Sequence, residues 1–377
     1  MGFGEAYLNW QVWNQNIFDT PYYFDKWNLS IIPNKCLKAR WKMKAWNYSM
    51  MVCVVGGGYS AYSLIRNILK FQSGKVVFME EVAVNGLVVP MTLQAVVTMH
   101  TMERNPEGDT YMTNQILKAG ITEYKGWPNR KRIPDLSELL AYGIAVVCSI
   151  FPLVTGTYPL VRTRDPINVA VGDLLPEIPR RLIASLVYFM ATFFCANICG
   201  SFIQLRIACT HILAKETEAN LLNCKSTGIQ PTWDFRRSRK LHIQTGMLIS
   251  MANKNNEIFV PTMVFVGMSF CIFSLYACLT LYNVPQLRLM MPFCFFIAFS
   301  MPIFIVFFAK HAALPLLYSH LTLRFWQEKM LSRVERKQLK ALKEVGFEIG
   351  NIVKATNLMA LQMLDVILNY TITLLLA

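Results

Sequence analysis

Four polar side chains recur along an otherwise apolar stretch near residue 377. They are Gln362, Asp365, Asn369 and Thr373, spaced three, four and four residues apart. At about 100° per residue in a helix, they share one narrow face, which Leu376 and Ala377 extend. A charged carboxylate is costly in hydrocarbon, so Asp365 must meet water or a partner.

We call these four residues the polar stripe. Their spacing is compatible with two interpretations. Asn, Gln and Thr commonly join neighbouring membrane helices through hydrogen bonds. Alternatively, several copies of the helix surround a shared axis, and a ring of Asp365 carboxylates attracts cations into an aqueous pore.

The rest of the chain predicts the membrane in which such a helix lies. Seven apolar stretches are long enough to cross about 30 Å of hydrocarbon as helices: 46–65, 82–102, 139–161, 182–205, 258–283, 289–309 and 355–377. Of the 37 Lys and Arg residues, 29 fall before the first stretch or in the second, fourth and sixth connections, and 8 fall in the others. Cytoplasmic loops retain basic residues. The sequence therefore predicts an all-α membrane protein with seven transmembrane helices, a cytoplasmic N terminus and an extracellular C terminus.

Composition agrees, because 54% of the residues are hydrophobic and 16% are charged. We expect a cytoplasmic segment, 1–45, followed by a seven-helix domain, 46–377. The net charge of +14 lies mostly in connections, where it favours contact with anionic membrane lipid and gives no support to nucleic-acid binding. The pattern predicts that 206–224 continues the fourth span and that 321–344 forms an amphipathic helix.

Aromatic and sulfur-containing side chains concentrate toward the outer halves of three spans. They suit an adaptable apolar site for small organic molecules, and they equally suit packing or lipid contact. The candidate ligand-binding residues are Phe151, Tyr158, Tyr188, Phe189, Met290 and Phe293, and Met190, Met291 and Phe296 share their character.

Small residues predict close helix packing in the first span. Gly56 and Ser60, like Gly57 and Ala61, have the small-x-x-x-small spacing that lets membrane helices approach. Cys195 and Cys199 are one helical turn apart, and packing is the favoured interpretation for them as well. No zinc signature is present, so we expect no metal, no cofactor and no enzymatic activity.

The end of the chain resembles the last span of the arthropod odorant and gustatory receptors. That family carries Thr-Tyr, five hydrophobic residues and then Gln-Phe. The corresponding residues here are Asn369 and Tyr370, then 371–375, then Leu376 and Ala377. Chain length, seven spans, a cytoplasmic N terminus and long basic inner connections are similar too.

This resemblance implies a ligand-gated, nonselective cation channel in the plasma membrane of sensory neurons, opened by small organic odorants or tastants. It implies a homotetramer, or a heterotetramer with a co-receptor, in which helix 355–377 of each subunit lines the pore. The narrowest gate would fall near Thr373 and Ala377, with Leu376 where relatives often have Gln. A ligand pocket would lie in the outer half of the second, third, fourth and sixth spans. Segments 206–257 and 310–354 would form a cytoplasmic anchor between subunits.

Three other classes of seven-span or multi-span membrane protein fit the sequence less well. A G-protein-coupled receptor has its N terminus outside, an acidic-Arg-aromatic triplet below the third span and Asn-Pro-x-x-Tyr in the seventh. Here the third span ends in Tyr158-Pro159-Leu160-Val161, and the last span contains no proline. A seven-span intramembrane hydrolase needs several histidines at helical spacing, and none of the five histidines forms a His-x-x-x-His pair. A transporter is disfavoured because no internal repeat is visible.

Overall fold

The computed structural model describes residues 22–25, 30–33, 40–73, 79–124, 143–144, 146, 148–150, 152–153, 155–157, 160, 176–226, 235–280, 282, 291–329, 331–350 and 353–376. Its elements, in chain order, are β1 (Tyr22–Asp25), β2 (Ser30–Pro33), α1 (Arg40–Gln72), α2 (Met79–Arg104), α3 (Pro106–Tyr124), α4 (Glu177–Ser226), α5 (Phe235–Asn255), α6 (Phe259–Thr280), α7 (Met291–Gln327), α8 (Arg333–Lys340), β3 (Glu348–Ile349), β4 (Val353–Lys354) and α9 (Met359–Leu376). The described residues between 143 and 160, within the third predicted span, are helical as well.

The all-α fold class is confirmed. The four strands form two short antiparallel pairs, β1 with β2 and β3 with β4. Within the described residues, α4, α6, α7 and α9 are long and apolar enough to cross a membrane. That the chain crosses the membrane seven times, with the N terminus inside and the C terminus outside, stays a prediction.

Two helices are much longer than a bilayer is thick. With 50 residues, α4 is about 75 Å long, and α7 with 37 residues is about 55 Å long. A hydrocarbon layer of about 30 Å accommodates only part of each. In α4 the helix runs unbroken from the fourth apolar stretch through residues 206–224, which is the continuation that the sequence predicts.

The largest buried cluster joins α2, α3, α4, α5, α6 and α7. The Phe202 ring of α4 meets the Phe259 ring of α6 edge-on, with centroids 4.8 Å apart. Met99, Met112 and Leu213 are fully buried in the same cluster. Apolar side chains of six helices thus form one core, which determines how α4 is placed relative to its neighbours.

The packing of α1 on α2 depends on one of the two glycines singled out in the sequence. A Cβ added to Gly57 would clash with Thr92 Oγ1 and lie 2.7 Å from Thr92 Cβ, so the close approach predicted for Gly57 is confirmed. Among the described residues, a Cβ added to Gly56 would meet nothing within 4 Å. The same prediction is wrong for Gly56, because the narrow contact face of α1 does not include it.

The prediction of one amphipathic helix over 321–344 is wrong. Helix α7 ends at Gln327, and α8 starts after Ser332, whose Oγ accepts a hydrogen bond from the Glu335 backbone N–H while the Glu335 carboxylate accepts one from the Ser332 N–H. This capping box starts a new helix, and burial of Leu331 and Leu339 against Trp326 favours the turn.

The last helix also begins later than expected. Helix α9 starts at Met359 rather than at 355, because the preceding residues form the β3–β4 hairpin. Gly350 has a φ of 60° in its turn, a conformation that glycine adopts without strain. The hairpin therefore leads the chain directly into α9.

Candidate functional site

Helix α9 packs on the subunit through one narrow face. Met359, Met363, Ile367 and Thr371 are its buried residues, spaced four apart. They lie against α6 and α7, where Cys271 and Ile305 belong to the same buried cluster. Ala360, Leu364 and Leu374 are half-buried, and the described part of the subunit leaves the rest of the helix surface exposed.

The polar stripe lies on that uncovered surface. Gln362, Asp365, Asn369 and Thr373 are all exposed, and Leu376 is exposed beyond them. At 100° per residue the stripe is centred roughly 140° around the helix from the buried face. Thr373 Oγ1 donates to the Asn369 carbonyl oxygen at 2.8 Å, within the helix itself. Ala377 falls outside the described residues.

This exposure bears on both interpretations of the stripe. Residues that join α9 to neighbours in the same subunit would be buried between helices, whereas these face away from the described helices. A carboxylate facing lipid is costly, so the surface requires water or another protein chain. The assignment of these residues to a pore stays a prediction.

A cavity of about 250 Å³ lies among the helices of the same subunit. Its wall combines α2, the helical residues Gly143, Ile144 and Cys148, and helices α4, α6 and α7. It includes Met91, Gln94, Ile144, Cys148, Cys195, Cys199, Ile203, Met263, Phe270, Phe296 and Phe304. These side chains are almost entirely apolar, and Met, Cys and Phe can adjust to ligands of different shapes.

Of the six candidate ligand-binding residues, the structure describes the side chains of Tyr188 and Phe189 alone. Phe151, Tyr158 and Met290 lie outside the described residues, as does the side chain of Phe293. Tyr188 and Phe189 precede Cys195 on α4 by about two helical turns and are not part of the wall.

The described contacts of Phe189 are packing contacts. Its ring stacks on Phe193 with centroids 5.8 Å apart, and a Cβ added to Gly156 would lie 2.9 Å from the Phe189 Cβ. Among the other aromatic residues noted in the sequence, Phe296 lines the cavity. The ligand-binding assignment of the six candidates stays a prediction.

Sequence reasoning missed most of the wall because the volume comes from small residues. Cys195, Cys199 and Gly200 on α4 face Gly143 and Gly267 on other segments. The sequence signal for this cavity is the presence of small residues on several helices. The sequence alone does not show whether such residues pack closely or leave space, and the assembled bundle shows that here they leave space.

A second, smaller cavity of about 40 Å³ lies next to the first. Both are lined by Ile203 and Met263. The smaller cavity is also lined by Arg206 and by Phe347 and Ala355, which flank the β3–β4 hairpin. The wall of the large cavity therefore adjoins the segment that leads into α9.

Two further features bear on chemistry. Cys53 Sγ of α1 lies 2.7 Å from Cys195 Sγ, so the cavity wall contacts α1 through this cysteine pair. Within the residues that the structure describes, no group of three or more His, Cys, Asp or Glu side chains could hold a metal ion.

The fold and the apolar cavity define an all-α membrane protein with the fold of the insect olfactory receptors. The chain is similar to the insect olfactory receptor OR5 from Machilis hrabei in complex with eugenol, with a TM-score of 0.65, 12% sequence identity and coverage of 98% of this chain and 99% of that chain. A second structure of that receptor matches with a TM-score of 0.56, 13% identity and the same coverage. Both structures are of a receptor rather than an enzyme. No protein-family model matches the sequence, and no functionally curated protein matches it significantly. The resemblance stated from the sequence is confirmed for the fold.

Proposed function

We propose that this protein is a subunit of a chemosensory cation channel that opens when a small organic odorant or tastant binds within the helix bundle. The observation that carries the proposal is the position of the polar stripe, which α9 presents away from its own subunit. Four subunits placed around one axis would turn these stripes toward water, which removes the cost of exposing polar groups to lipid.

In this arrangement, four Asp365 carboxylates form a ring that raises the local concentration of cations. Gln362 and Asn369 lie on the same face and supply amide oxygens along the path. Thr373, Leu376 and Ala377 lie toward the outer end and form the narrowest part, the gate. The partner subunits are identical copies or a co-receptor, and segments 206–257 and 310–354 form the anchor between them.

The ligand occupies the 250 Å³ cavity, with its outer approach at Tyr188, Phe189, Phe151, Tyr158, Met290 and Phe293. A ligand shifts a conformational equilibrium only by binding one state more tightly than the other. Movement of Ile203 and Met263 changes the small cavity beneath them, and that cavity is bounded by residues leading into α9. Ligand binding thus favours the open arrangement of the α9 helices.

The proposal places the receptor in the plasma membrane of sensory neurons, with its N terminus in the cytoplasm. A glycosylation tag fused before Met1 tests the orientation, because only a tag outside the cell is glycosylated. An unmodified tag agrees with the proposal.

The pore is tested by whole-cell recording from cells expressing the chain alone or with a co-receptor. We expect ligand-evoked currents that persist when G-protein signalling is blocked. Asp365→Asn should reduce cation conductance or alter cation selectivity. Leu368→Ala is the matched control, because Leu368 is exposed on the same helix but outside the stripe. Unaltered permeation in Asp365→Asn would remove this residue from the pore.

A further inference from the structure

Residues 342–347 connect α8 to the β3–β4 hairpin without forming a helix or strand. Gly346 is buried and Phe347 is half-buried, so the backbone here needs hydrogen-bond partners from other segments. The Phe347 side chain packs against both the six-helix core and the cluster that buries α9. The way in which this connection is held therefore determines where α9 begins.

Asn253 of α5 supplies two of these partners with one side chain. Its Nδ2 donates to the Gly346 carbonyl oxygen at 3.1 Å, and its Oδ1 accepts from the Glu348 backbone N–H, also at 3.1 Å. A backbone carbonyl can only accept and a backbone N–H can only donate, so these partners assign the two ends of the amide, which are otherwise easily interchanged. We call these two hydrogen bonds the Asn253 clasp.

The clasp imitates the pairing of a β-strand. Within an extended chain, the carbonyl before a residue and the N–H after it point to the same side, where a neighbouring strand normally meets them. Asn253 takes that place beside Phe347. On the opposite side, the Phe347 carbonyl oxygen accepts from the Ala355 N–H at 2.8 Å. The connection is thus fastened along both edges, to α5 on one and to the residue after β4 on the other.

Helix α7 holds the same connection at neighbouring points. Ser319 Oγ accepts from the Val345 backbone N–H at 2.8 Å, and a Cβ added to Gly346 would lie 2.9 Å from the Leu316 Cβ. Close packing against α7 explains the glycine. The described hydrogen bonds of the Gly346 carbonyl and the Glu348 N–H, by contrast, are both made by α5.

The clasp also borders the smaller cavity. Asn253, Phe347 and Glu348 line it, and its wall shares Ile203 and Met263 with the wall of the large cavity. A displacement of either shared residue therefore acts on a cavity that the clasp helps to enclose.

Little chain separates the clasp from α9. Ala355, which bonds to Phe347, is fully buried, and only residues 356–358 lie between it and the first residue of α9, Met359. The Met359 N–H donates to the Thr356 carbonyl oxygen at 3.1 Å, so this turn is compact. A shift of the clasp is therefore passed to the start of α9, because no long loop is present there to absorb it.

We propose that Asn253 is a positioning residue for the proposed pore helix: its clasp fixes the start of α9 relative to α5 and thereby sets the balance between the closed and open arrangements of α9. The inference rests on the proposed function, because it assigns the contact through which that helix is held on its own subunit. An amide is required, since it offers a donor and an acceptor side by side in one short side chain.

Asn253→Leu tests the clasp, because leucine keeps the shape of asparagine and removes both hydrogen bonds. Asn256→Leu is the matched control: Asn256 lines the same cavity, but its Nδ2 donates to the Ala252 carbonyl oxygen of α5 at 2.8 Å. Hydrogen exchange is measured by mass spectrometry on the purified full chain in lipid nanodiscs. We expect exchange over 343–350 to be about tenfold faster in Asn253→Leu and to stay within about threefold of the wild type in Asn256→Leu.

Asn253→Asp is the second variant if Asn253→Leu does not fold. Aspartate keeps the acceptor for the Glu348 N–H and replaces the donor to the Gly346 carbonyl by a second oxygen, so it should accelerate exchange over the same residues. Unchanged exchange over 343–350 in both Asn253 variants overturns the inference. Acceleration spread equally over α5, α6 and α9 also overturns it, because that pattern indicates a general loss of stability.

Single-channel recording from the same proteins in planar lipid bilayers tests the consequence for gating. We expect the open probability without added ligand to differ from the wild type about tenfold in Asn253→Leu and by less than about threefold in Asn256→Leu. Locally accelerated exchange with unchanged opening overturns the role in gating and leaves the channel proposal standing. A wild type that gives no current argues against a channel formed by this chain alone, and the exchange measurement then decides the positioning role by itself.

Discussion

Arg206 Nη2 of α4 lies 2.6 Å from Asp109 Oδ1 of α3, and each side chain is only 5% exposed. The same nitrogen lies 2.7 Å from Oδ2, and Asn255 Nδ2 is 3.4 Å from Oδ1. The guanidinium also stacks over the Phe202 ring at 4.3 Å. Helices α3, α4 and α5 thus meet at one buried ion pair beside the smaller cavity.

Removing one charge of this pair should destabilise the protein. Asp109→Asn leaves the Arg206 charge buried without its counter-ion, which costs about 3–5 kcal/mol. We expect a clearly lower melting temperature for the purified variant in lipid nanodiscs. Glu177→Gln is the control, because it breaks the more exposed ion pair with Arg181 and should cost less than about 1 kcal/mol. Equal melting of the two variants would contradict the buried pair.

The two neighbouring glycines of α1 provide a matched test of helix packing. Gly57→Ala places a methyl group against Thr92, whereas Gly56→Ala places one where no described residue lies within 4 Å. Both changes gain similar helix propensity, so their difference reports the clash alone. We expect Gly57→Ala to be less stable than Gly56→Ala by about 1–3 kcal/mol in thermal unfolding. If Gly56→Ala is the more damaged variant, the described contact between α1 and α2 is wrong.

Stability should depend on pH through His242 of α5. Burial lowers the pKa of His242 below its usual range, and the Lys343 carbonyl oxygen, 3.2 Å from Nε2, opposes this effect only partly. The unfolded chain therefore binds this proton at a higher pH than the folded protein does. The stabilisation is present above about pH 6.5 and is lost as the pH falls below that value.

Melting temperatures measured between about pH 5 and pH 8 check this dependence. We expect His242→Gln to flatten the decline below about pH 6.5. The control is His320→Gln, which alters a more exposed histidine beside Glu344 and leaves His242 in place. A wild-type decline that His242→Gln leaves intact would show that other groups cause it.

Oxidation should link α1 to α4 through the cysteine pair. Cys53 Sγ and Cys195 Sγ are 2.7 Å apart, so a disulfide requires only a small adjustment of the side chains. We expect copper-phenanthroline to produce peptides linked at 53 and 195, detected by mass spectrometry without reduction. The link should vanish in Cys53→Ser and persist in Cys199→Ser. A link from Cys53 to Cys199 instead would contradict the described facing of α4.

Hydropathy and periodicity correctly predicted features that are determined within a single helix. The stripe on α9 and the continuation of α4 beyond the membrane are of this kind, since each follows from the spacing of polar and apolar residues along one segment. The capping box at Ser332 and Glu335 was a local signal, but the uninterrupted amphipathic spacing around it favoured a single helix.

Features that depend on several helices could not be predicted in the same way. The cavity wall draws residues from α2, α4, α6 and α7, and its volume depends on how these helices meet. The exposure of the stripe depends on which face of α9 packs on α6 and α7. The β3–β4 hairpin left little sequence signal beyond Gly350, because strands of two residues have no periodicity.

The uninterrupted length of α4 has a mechanical consequence. Continuous helices bend only gently except at proline, Gly-Ser pairs or inserted side chains, and α4 stays helical through its one such interior pair, Gly200-Ser201. This one helix carries Cys195 and Ile203 at the large cavity, Arg206 at the buried ion pair and Leu213 in the core farther along. A tilt of about 5° over a length of about 75 Å displaces one end by roughly 6 Å relative to the other. A tilt of α4 at the large cavity is thus transmitted to the buried ion pair and the core, with no loop in between to absorb it.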